Sequence, residues 1–600
     1  MKINKKVILI LSFIMVLMAT IQFVRFDAIL RQKVNETFIT IEGEQNTPIM
    51  NEMLGELTIV YDESYDYMIK LKDNIEKTLD YMYLPYKSIG LKEVKKEDLS
   101  GNIILALENI EEIQIFEQLL KCVEEGGKLF LAFRLEGTDA FKAVSRQMGI
   151  LELGEFKETM SIELLDEFLI GGKGTSLKGE YLSNSVVSMK LAKDVKVHAE
   201  TSKEEESIPL LWSKSYGNGE IFYFNGTMLS AEFSRGIIAS VIRQMAPTMI
   251  YPIINAKIDF IDDFPSPLPE GYDETLQNDY NRNIRAFYEE IWWPDMIGIS
   301  YLNGIKYTGV AIGNYDDEVD ELEKTPILLT EDEMSIFVKE LIINEGELGI
   351  HGYNHQPLTL KPVDPTLNYK PWKDFDTMLE GISKLTTYIN EQMPCYTMHT
   401  YVPPSNIVSE EGIDAIIKAN PDIRIIASLY EVGQGEEGYK QELQVDERGV
   451  IHLPRLISGY EYTGEMKWKI LMGINIHGYF SHFMHPDDLL DIERSKGKNW
   501  GELKQEYAQM QRDVISKYPW IKSCTATEGA NQLLNYTQAK LIYQMEENRL
   551  VIENENFLKE LSFIVTSEKS IKNVIGGTFH KVGDNLYVVN MQTKKCEIIY

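Results

Sequence analysis

The sequence predicts a multidomain α/β protein with four parts: an N-terminal anchor helix, an open doubly wound sheet, a (β/α) barrel and a small C-terminal antiparallel β module. Its 600 residues exceed the size of one domain, so about three or four domains are expected. Over two long stretches, short apolar segments alternate with segments of helical spacing, which indicates parallel sheets covered by helices. The tail instead carries short alternating segments between polar turns, which indicates antiparallel strands.

Composition excludes several classes of protein. Apolar residues make up 44% and charged residues 25%, ordinary globular values that exclude a disordered chain, a collagen-like chain and a polytopic membrane protein. The net charge is −32, so no nucleic-acid partner is expected, because phosphate neutralisation needs clustered lysine and arginine. A solvated surface, or attraction to a cationic polymer, fits this charge. The four cysteines are far apart, which excludes a disulfide scaffold and a cysteine-built zinc site.

Residues 1–34 are predicted to form a signal-anchor or transmembrane helix and the start of a tether. Val7 to Val24 is an uncharged run that would be about 27 Å long as a helix, close to the bilayer's hydrocarbon thickness. Three lysines precede it and favour a cytoplasmic N-terminus. A cleaved signal peptide and a buried helix stay open as alternatives. The predicted localisation is therefore the cytoplasmic membrane, single-pass, with the domains on the extracytoplasmic side, or secretion if the signal is cleaved.

Residues 55–248 are predicted to form the open parallel sheet with helices on both faces. The predicted strands lie at residues 57–61, 102–107, 128–133 and 219–224, and the predicted helices at residues 65–83, 111–125 and 234–245. This pattern resembles the flavodoxin-like, glutamine-amidotransferase-like domains found beside bacterial carbohydrate enzymes. A working amidotransferase needs a cysteine on a sharp turn with a histidine nearby. Cys122 lies inside a helical segment and His198 is the one histidine of the region, so a non-catalytic domain is predicted.

Residues 251–535 are predicted to form the (β/α) barrel, because strands and helices alternate over a length that suits one. The candidate strands are residues 256–261, 298–302, 347–350, 396–402, 423–428 and 473–484. Residues 541–600 are predicted to form the β-rich C-terminal module, with strands at residues 549–553, 562–565 and 586–590.

Two adjacent carboxylates, Asp262 and Asp263, follow the first apolar strand of this barrel and precede a proline. Barrel enzymes place their chemistry at this exit end of a strand. Taken alone, the pair is more typical of a polar Asp-Pro turn.

Histidines form two further clusters. His351 and His355 lie four apart in the segment ELGIHGYNH, a spacing that places two imidazoles on one face of a helical turn to hold a metal ion. His482 and His485 end a short apolar strand that Pro486 stops. Five of the nine histidines fall within residues 351–355 or 477–485, which is not expected of histidines scattered for packing.

Together these residues resemble the NodB-type polysaccharide deacetylases, carbohydrate esterase family 4. In that family an Asp-Asp pair closes the first strand, the second motif reads close to E-I-G-x-H-[ST]-x-x-H, and a late strand ends in histidine. The resemblance covers less than half of the chain and implies a deformed barrel of NodB type. The whole layout also resembles membrane-anchored bacterial proteins encoded with Pel-type exopolysaccharide synthesis. That layout implies a polysaccharide substrate, the membrane and exopolysaccharide synthesis proteins as partners.

The resemblance implies a role for each residue. Asp263, His351 and His355 would hold one divalent transition metal ion, with Zn²⁺ the first choice for such ligands. Asp262 would be the general base and His485 the general acid, with His482 as its rival. Strand alternation places His482 and His485 on opposite faces.

The third motif of the family departs in this chain. It usually reads R-P-P-Y, whereas residues 401–405 read YVPPS, with Val402 in the arginine position. Tyr401, Pro404 and Ser405 are expected near the substrate, with a backbone N–H close to Pro404 and Ser405 aiding the oxyanion. Arg455 is the candidate to replace the missing base-orienting arginine from another strand. The aspartate that orients the acid in the family is not identified.

The predicted function is an extracytoplasmic, metal-dependent N-deacetylase of a Pel-like exopolysaccharide. Two alternatives stay open. A non-catalytic carbohydrate-binding or scaffold protein of a polysaccharide export assembly would explain the lost arginine. A glycoside hydrolase would use Asp262 with another carboxylate and make the histidine pair incidental. A bound transition metal lost to a chelator together with activity would distinguish the deacetylase from both.

Overall fold

A computed structural model describes residues 12–18, 20, 55–111, 113–202, 206–265, 268, 270–394, 396–433 and 435–600. They form a mixed α/β protein with several sheets, as the alternation of apolar segments predicts. Within these ranges, no helix combines the length and apolar character that a bilayer crossing requires. The prediction of a single-pass membrane protein is therefore corrected. Residues 12–18 are helical, and most of the predicted anchor lies outside the described residues.

The first region contains a nine-stranded sheet in the spatial order β2-β1-β3-β4-β11-β10-β9-β6-β7, with β5 and β8 paired in a separate ribbon. The strands are β1 Leu57–Tyr61, β2 Tyr86–Gly90, β3 Asn102–Ala106, β4 Lys128–Leu131, β5 Ile150–Thr159, β6 Ser161–Leu164, β7 Ser176–Lys178, β8 Asn184–Leu191, β9 Lys196–Glu200, β10 Pro209–Tyr216 and β11 Gly219–Phe224. The first five strands of the order run parallel, and the other four extend the sheet antiparallel. The predicted parallel sheet is thus present, and the antiparallel extension was not predicted.

Helices cover this sheet at Asp66–Tyr81, Ile113–Glu124, Asp139–Val144 and Arg235–Ile242, with 3₁₀ turns at Lys96–Asp98, Glu180–Leu182, Met228–Ser230 and Glu232–Ser234. In the first helix Met68, Leu71, Ile75 and Leu79 are fully buried. Their spacing of three and four residues forms one apolar face, which is why this segment packs on the sheet as a helix.

The second region is an open half-barrel rather than a closed barrel. Its strands are β13 Ala256–Ile261, β14 Tyr307–Ala311, β15 Glu347–Ile350, β16 Thr400–Tyr401, β17 Ile425–Ile426, β18 Gln444–Val445, β19 Ile451–His452, β20 Ile457–Ser458, β21 Tyr479–Met484 and β22 Ser523–Cys524, preceded by β12 Thr248–Ile253. The spatial order is β18-β19-β17-β16-β15-β14-β13-β21-β20, with β22 also beside β13. All pairs except β18–β19 are parallel.

Helices surround the half-barrel at Glu274–Tyr280, Ile284–Phe287, Trp293–Asn303, Glu331–Glu333, Lys339–Ile343, Phe375–Gln392, Glu410–Ala419, Gly464–His477, Ile492–Ser495, Trp500–Lys517 and Ala526–Thr537. π-Helical turns lie at Tyr288–Trp292 and Met334–Val338, and 3₁₀ turns at Leu322–Lys324, Pro365–Leu367, Pro404–Asn406 and Pro486–Leu490.

Two sequence predictions are wrong in this region. The strand predicted at residues 298–302 belongs to the helix Trp293–Asn303, and the next strand along the chain is β14, which was not predicted. The first half of the strand predicted at residues 473–484 lies in the helix Gly464–His477, which ends at Gly478 in the left-handed conformation. Short apolar runs fit a buried helix as well as a buried strand, so periodicity alone does not separate them.

The tail forms two four-stranded antiparallel sheets, which confirms its predicted antiparallel character. Its strands are β23 Leu541–Glu546, β24 Arg549–Asn554, β25 Leu561–Ser567, β26 Asn573–Ile575, β27 Gly577–Gly583, β28 Leu586–Met591 and β29 Lys595–Ile599. One sheet is ordered β23-β24-β29-β26 and the other β12-β25-β28-β27. Strand β12 therefore ties the tail to the chain that enters the half-barrel.

Candidate active site

Several of the predicted site residues lie together at the carboxyl ends of strands of the half-barrel. Asp262 and Asp263 follow β13, His351 follows β15, and His485 follows β21. Because these strands run parallel, their carboxyl ends meet at one edge of the sheet, where (β/α) proteins place their chemistry. A cleft of about 430 Å³ opens there.

Asp263, His351 and His355 form a possible metal site, with one ligand atom from each lying within 4.8 Å of the others. The Asp263 Oδ1 atom is 3.8 Å from His351 Nε2 and 3.9 Å from His355 Nε2. The predicted helical turn is wrong, because the histidines lie on a loop after β15. Asp263 and His355 both adopt left-handed backbone conformations, with φ of 51° and 58°. Such conformations are uncommon outside glycine and occur where the surrounding structure enforces them.

The hydrogen bonding of these three side chains fits a bound cation. The His351 Nδ1 atom lies 2.9 Å from the Val402 carbonyl oxygen, which can only accept, so Nδ1 carries the hydrogen and Nε2 presents its lone pair toward Asp263. Within the described residues, neither that Nε2 nor Asp263 Oδ1 has a hydrogen-bond partner, although both are buried. Buried polar atoms are rarely left unpaired, and two imidazoles with a carboxylate suit Zn²⁺ and related ions.

The protonation states of these three side chains also fit a bound cation. Burial lowers the pKa of His351 to about 3 and that of His355 to about 4, so both imidazoles are neutral and able to coordinate. Burial also raises the pKa of Asp263 to about 7. A positive ion at this point would compensate for the buried carboxylate.

Asp262 and Arg455 form a buried ion pair beside the possible metal site. Arg455 Nη1 donates to both carboxylate oxygens of Asp262, at 2.7 and 2.6 Å, and Nη2 donates to the Asn406 side chain. Burial acts to raise the pKa of Asp262, but Arg455, followed by His351 and His485, outweighs it and holds that pKa below its ordinary value. The structure thus places the guanidinium on Asp262 from the loop after β19, while Val402 occupies the motif position.

His485 also lines the cleft and is paired with Asp488. The His485 Nδ1 atom is 3.3 Å from Asp488 Oδ1, and its Nε2 atom is 3.7 Å from Asp262 Oδ2. Burial acts to lower the pKa of His485, but Asp488, with Asp262 and Asp263, raises it to about 9. Sequence reasoning missed Asp488. The signal for it is local. His485 precedes the turn that Pro486 begins, and an acidic residue three positions later commonly caps such a turn by accepting a hydrogen bond from the preceding backbone N–H, as Asp488 does from the His485 N–H.

His482 lies in a different environment from His485. It is fully buried, its Nε2 atom is 2.6 Å from the Gly459 carbonyl oxygen, and its ring stacks on Tyr507. Its Nδ1 atom is 3.5 Å from Asp259, which also pairs with Lys257. Strand alternation therefore turns His482 into a buried polar cluster, whereas His485 faces the cleft.

The third motif runs along one wall of the site, and of its three predicted contact residues Ser405 faces the cleft. Ser405 lines the cleft and adopts φ of 49°. Its hydroxyl is hydrogen-bonded to Tyr369, which also lies 3.3 Å from His355 Nδ1. Tyr401 and Pro404 are buried behind this wall and do not line the cleft. Tyr369 was not identified from the sequence, because no local signal connects it with residues 355 and 405.

Residues 176–588 match a family profile described as an uncharacterised protein conserved in bacteria, DUF2194. The chain belongs to the DUF2194 family. No curated protein matched the sequence. The NodB-type resemblance stays a prediction for this DUF2194 protein, since the matching profile is a different one.

Among solved structures, this DUF2194 protein is similar to Agd3, described as a novel carbohydrate deacetylase. The TM-score is 0.52 at 10% sequence identity, and the match covers 91% of this chain and 98% of Agd3. At this identity the similarity establishes a shared fold. A β-galactosidase from Bacillus circulans matches at a TM-score of 0.25 and 14% identity over 33% of each chain. A ThuA-like protein from Bacteroides uniformis matches at 0.27 and 14%, over 35% of this chain and 96% of its own. These two scores are too low to support a shared fold.

Proposed function

We propose that this protein is a metal-dependent carbohydrate N-deacetylase that acts on an N-acetylated, Pel-like exopolysaccharide. One observation carries the proposal. A possible metal site, a carboxylate paired with arginine and a histidine paired with aspartate face one cleft at the carboxyl edge of the half-barrel. Amide hydrolysis needs an activated water, a stabilised oxyanion and a proton for the leaving amine, and these groups can supply all three. The fold shared with Agd3 supports the same interpretation.

Asp263, His351 and His355 would hold the ion, Zn²⁺ or a related divalent metal. When bound, such an ion supplies Lewis-acid chemistry that polarises the acetyl carbonyl and lowers the pKa of water. The neutral state of both imidazoles and the buried Asp263 carboxylate prepare the ligand set for this charge.

Asp262 would accept the proton of the attacking water. Its carboxylate is ionised near neutral pH because Arg455 counteracts the effect of burial, and the two bonds from Nη1 fix its orientation. His485 would deliver a proton from Nε2 to the leaving amine, since Asp488 holds Nδ1 and keeps the ring protonated up to about pH 9. His482 is not suited to this transfer, because its ring is fully buried away from the cleft.

The cleft also suits a carbohydrate chain. Tyr315 is half exposed on its wall, with its ring centroid 6.0 Å from that of His355. Exposed aromatic rings present an apolar face on which a sugar ring can pack. The overall charge of −32 would favour association with a polymer that gains amines during the reaction.

The test is acetate release from a panel of N-acetylated polymers by the full chain, with and without a chelator, alongside measurement of bound metal. We expect one equivalent of a transition metal, acetate release from at least one polymer, and loss of both on chelation or in His351→Ala. The matched control is His399→Ala, which replaces a half-buried histidine outside the cleft and should keep metal and activity. Full activity in a metal-free preparation would refute the proposal, and cleavage of glycosidic bonds in place of acetate release would favour a glycoside hydrolase.

A further inference from the structure

A second and larger cleft, of about 1260 Å³, lies between the first sheet and the half-barrel. Its floor is at the carboxyl edge of the parallel strands. Glu108 follows β3, Phe133 and Arg134 follow β4, and Thr227 follows β11. In open α/β sheets, ligands bind in the crevice outside the carboxyl ends of the strands. The proposed chemistry does not use this cleft.

The two clefts share one wall. Glu465, Trp468 and Lys469 of the helix Gly464–His477 line the second cleft, while Met466 of the same helix lines the cleft of the candidate active site. The two spaces therefore lie on either side of the first turns of one helix. A polymer long enough to pass around this helix could therefore contact both clefts.

The lining of the second cleft is acidic. Four glutamates face it, Glu108, Glu180, Glu431 and Glu465, against two cations, Arg134 and Lys469. Both cations are already paired with these glutamates: Arg134 lies 2.7 Å from Glu108, and Lys469 lies 2.8 Å from Glu465 and 3.5 Å from Glu431. The excess negative charge in a concave, partly desolvated space favours a cationic ligand.

Aromatic side chains accompany these carboxylates. Tyr67 is 40% exposed at the rim, with its ring centroid 6.0 Å from that of Phe133, and its hydroxyl donates to Glu108. Tyr181 lines the cleft near Glu180 in the chain. An aromatic face packs against the apolar face of a sugar ring, and it also attracts an ammonium group through its quadrupole. Carboxylates with exposed rings thus match an amino sugar better than a neutral one.

We propose that the second cleft binds amine-bearing, deacetylated segments of a polysaccharide chain. This rests on the proposed function, because the half-barrel would produce such segments. The first region would then be a binding domain that holds the product strand while the neighbouring acetylated segment occupies the site. Recognition would depend on the positive charge of the amines and would weaken as salt increases.

The experiment measures binding of two probes to the full chain by calorimetry at about pH 6, where amino groups are protonated. The probes are a glucosamine hexamer and an N-acetylglucosamine hexamer. Glu180→Lys should weaken binding of the glucosamine hexamer roughly fivefold, because it replaces an exposed attraction with a repulsion. The matched control is Glu93→Lys, an equally exposed glutamate that does not line the cleft, and it should change binding by less than about twofold.

A second pair of variants tests the ring. Tyr67→Ala should weaken binding of the glucosamine hexamer roughly fivefold. Tyr67→Phe, which keeps the ring and loses the hydrogen bond to Glu108, should keep an affinity within about twofold of the native value. Acetate release from a small N-acetylated monosaccharide should be unchanged in all these variants. Unchanged glucosamine binding in both Glu180→Lys and Tyr67→Ala would overturn the proposal, as would equal weakening of the two hexamers. A wild-type chain that releases no acetate yet shows these binding changes would refute the proposed function alone.

Discussion

Replacing Asp488 with asparagine removes the carboxylate that holds the proton on His485. In the native chain this carboxylate lies 3.3 Å from His485 Nδ1 and is itself almost fully buried. The pKa of His485 stands at about 9, against an ordinary value of 6.5. A raised pKa keeps the ring protonated below about pH 9, so catalysis by His485 as an acid is lost as pH rises through that value. Asp488→Asn should move this loss to lower pH.

The size of the effect is set by the two pKa values. At pH 8 a group of pKa 9 is roughly 90% protonated, whereas a group of pKa 6.5 is roughly 3% protonated. The rate at pH 8 should therefore fall by at most roughly 30-fold, and by less if Asp262 and Asp263 keep the pKa of His485 partly raised. At pH 6 both forms are mostly protonated, so kcat/KM should change less than about twofold.

The assay is kcat/KM for acetate release between about pH 5.5 and 10, with the metal content of each preparation measured. Asp487→Asn is the matched control, because Asp487 is a neighbouring exposed carboxylate that pairs with Arg494 rather than His485. We expect the fall of kcat/KM at high pH, the basic limb of the profile, to shift only in Asp488→Asn. If its profile keeps the native basic limb and loses rate equally at every pH, then His485 is not the acid, and Asp488 acts through structure alone.

Variants at two further positions test neighbouring groups. Arg455→Met should raise the pKa of Asp262, because burial then acts without its counter-charge. The fall of kcat/KM at low pH, the acidic limb of the profile, should therefore move to higher pH. The variant should also lose about 3–5 kcal/mol of stability, the usual penalty for breaking a buried pair. Arg455→Lys should restore part of the acidic limb, and a native acidic limb in Arg455→Met would contradict the role of the pair. His482→Ala should lower the free energy of unfolding by about 2–4 kcal/mol, and with it the thermal midpoint, because it opens a cavity and leaves the Gly459 carbonyl oxygen unpaired. The loss of activity at high pH should stay as in the native protein. A shifted basic limb in that variant would identify His482 as the acid.

The parts of the site that the sequence predicts are local. An apolar segment followed by Asp262, Asp263 and a proline indicates a buried strand ending in carboxylates, and β13 ends there. The segment around His351 and His355 comes after a strand in the same way, and β15 ends before it. Because parallel strands share one carboxyl edge, strand ends alone bring these side chains together. Strand ends therefore predict that the carboxylates and histidines meet, whereas the choice of Asp263 over Asp262 as a metal ligand came from the family resemblance, and the helical turn expected at the histidines is absent.

Tertiary structure decided the features that depend on distant partners. Arg455 and Asp262 are 193 residues apart, and they meet because Arg455 lies just before β20, which pairs with β21, and β21 pairs with β13. The second cleft likewise exists only where the first sheet meets the helix Gly464–His477. Residues 293–303 form a helix that buries Trp293, Met296 and Ile299 and leaves Leu302 exposed, an arrangement that a short apolar run does not by itself distinguish from a strand. Local pattern determines where a strand ends and which side chains lie just beyond that end, whereas charge pairing between strands and the space between domains depend on how the whole chain packs.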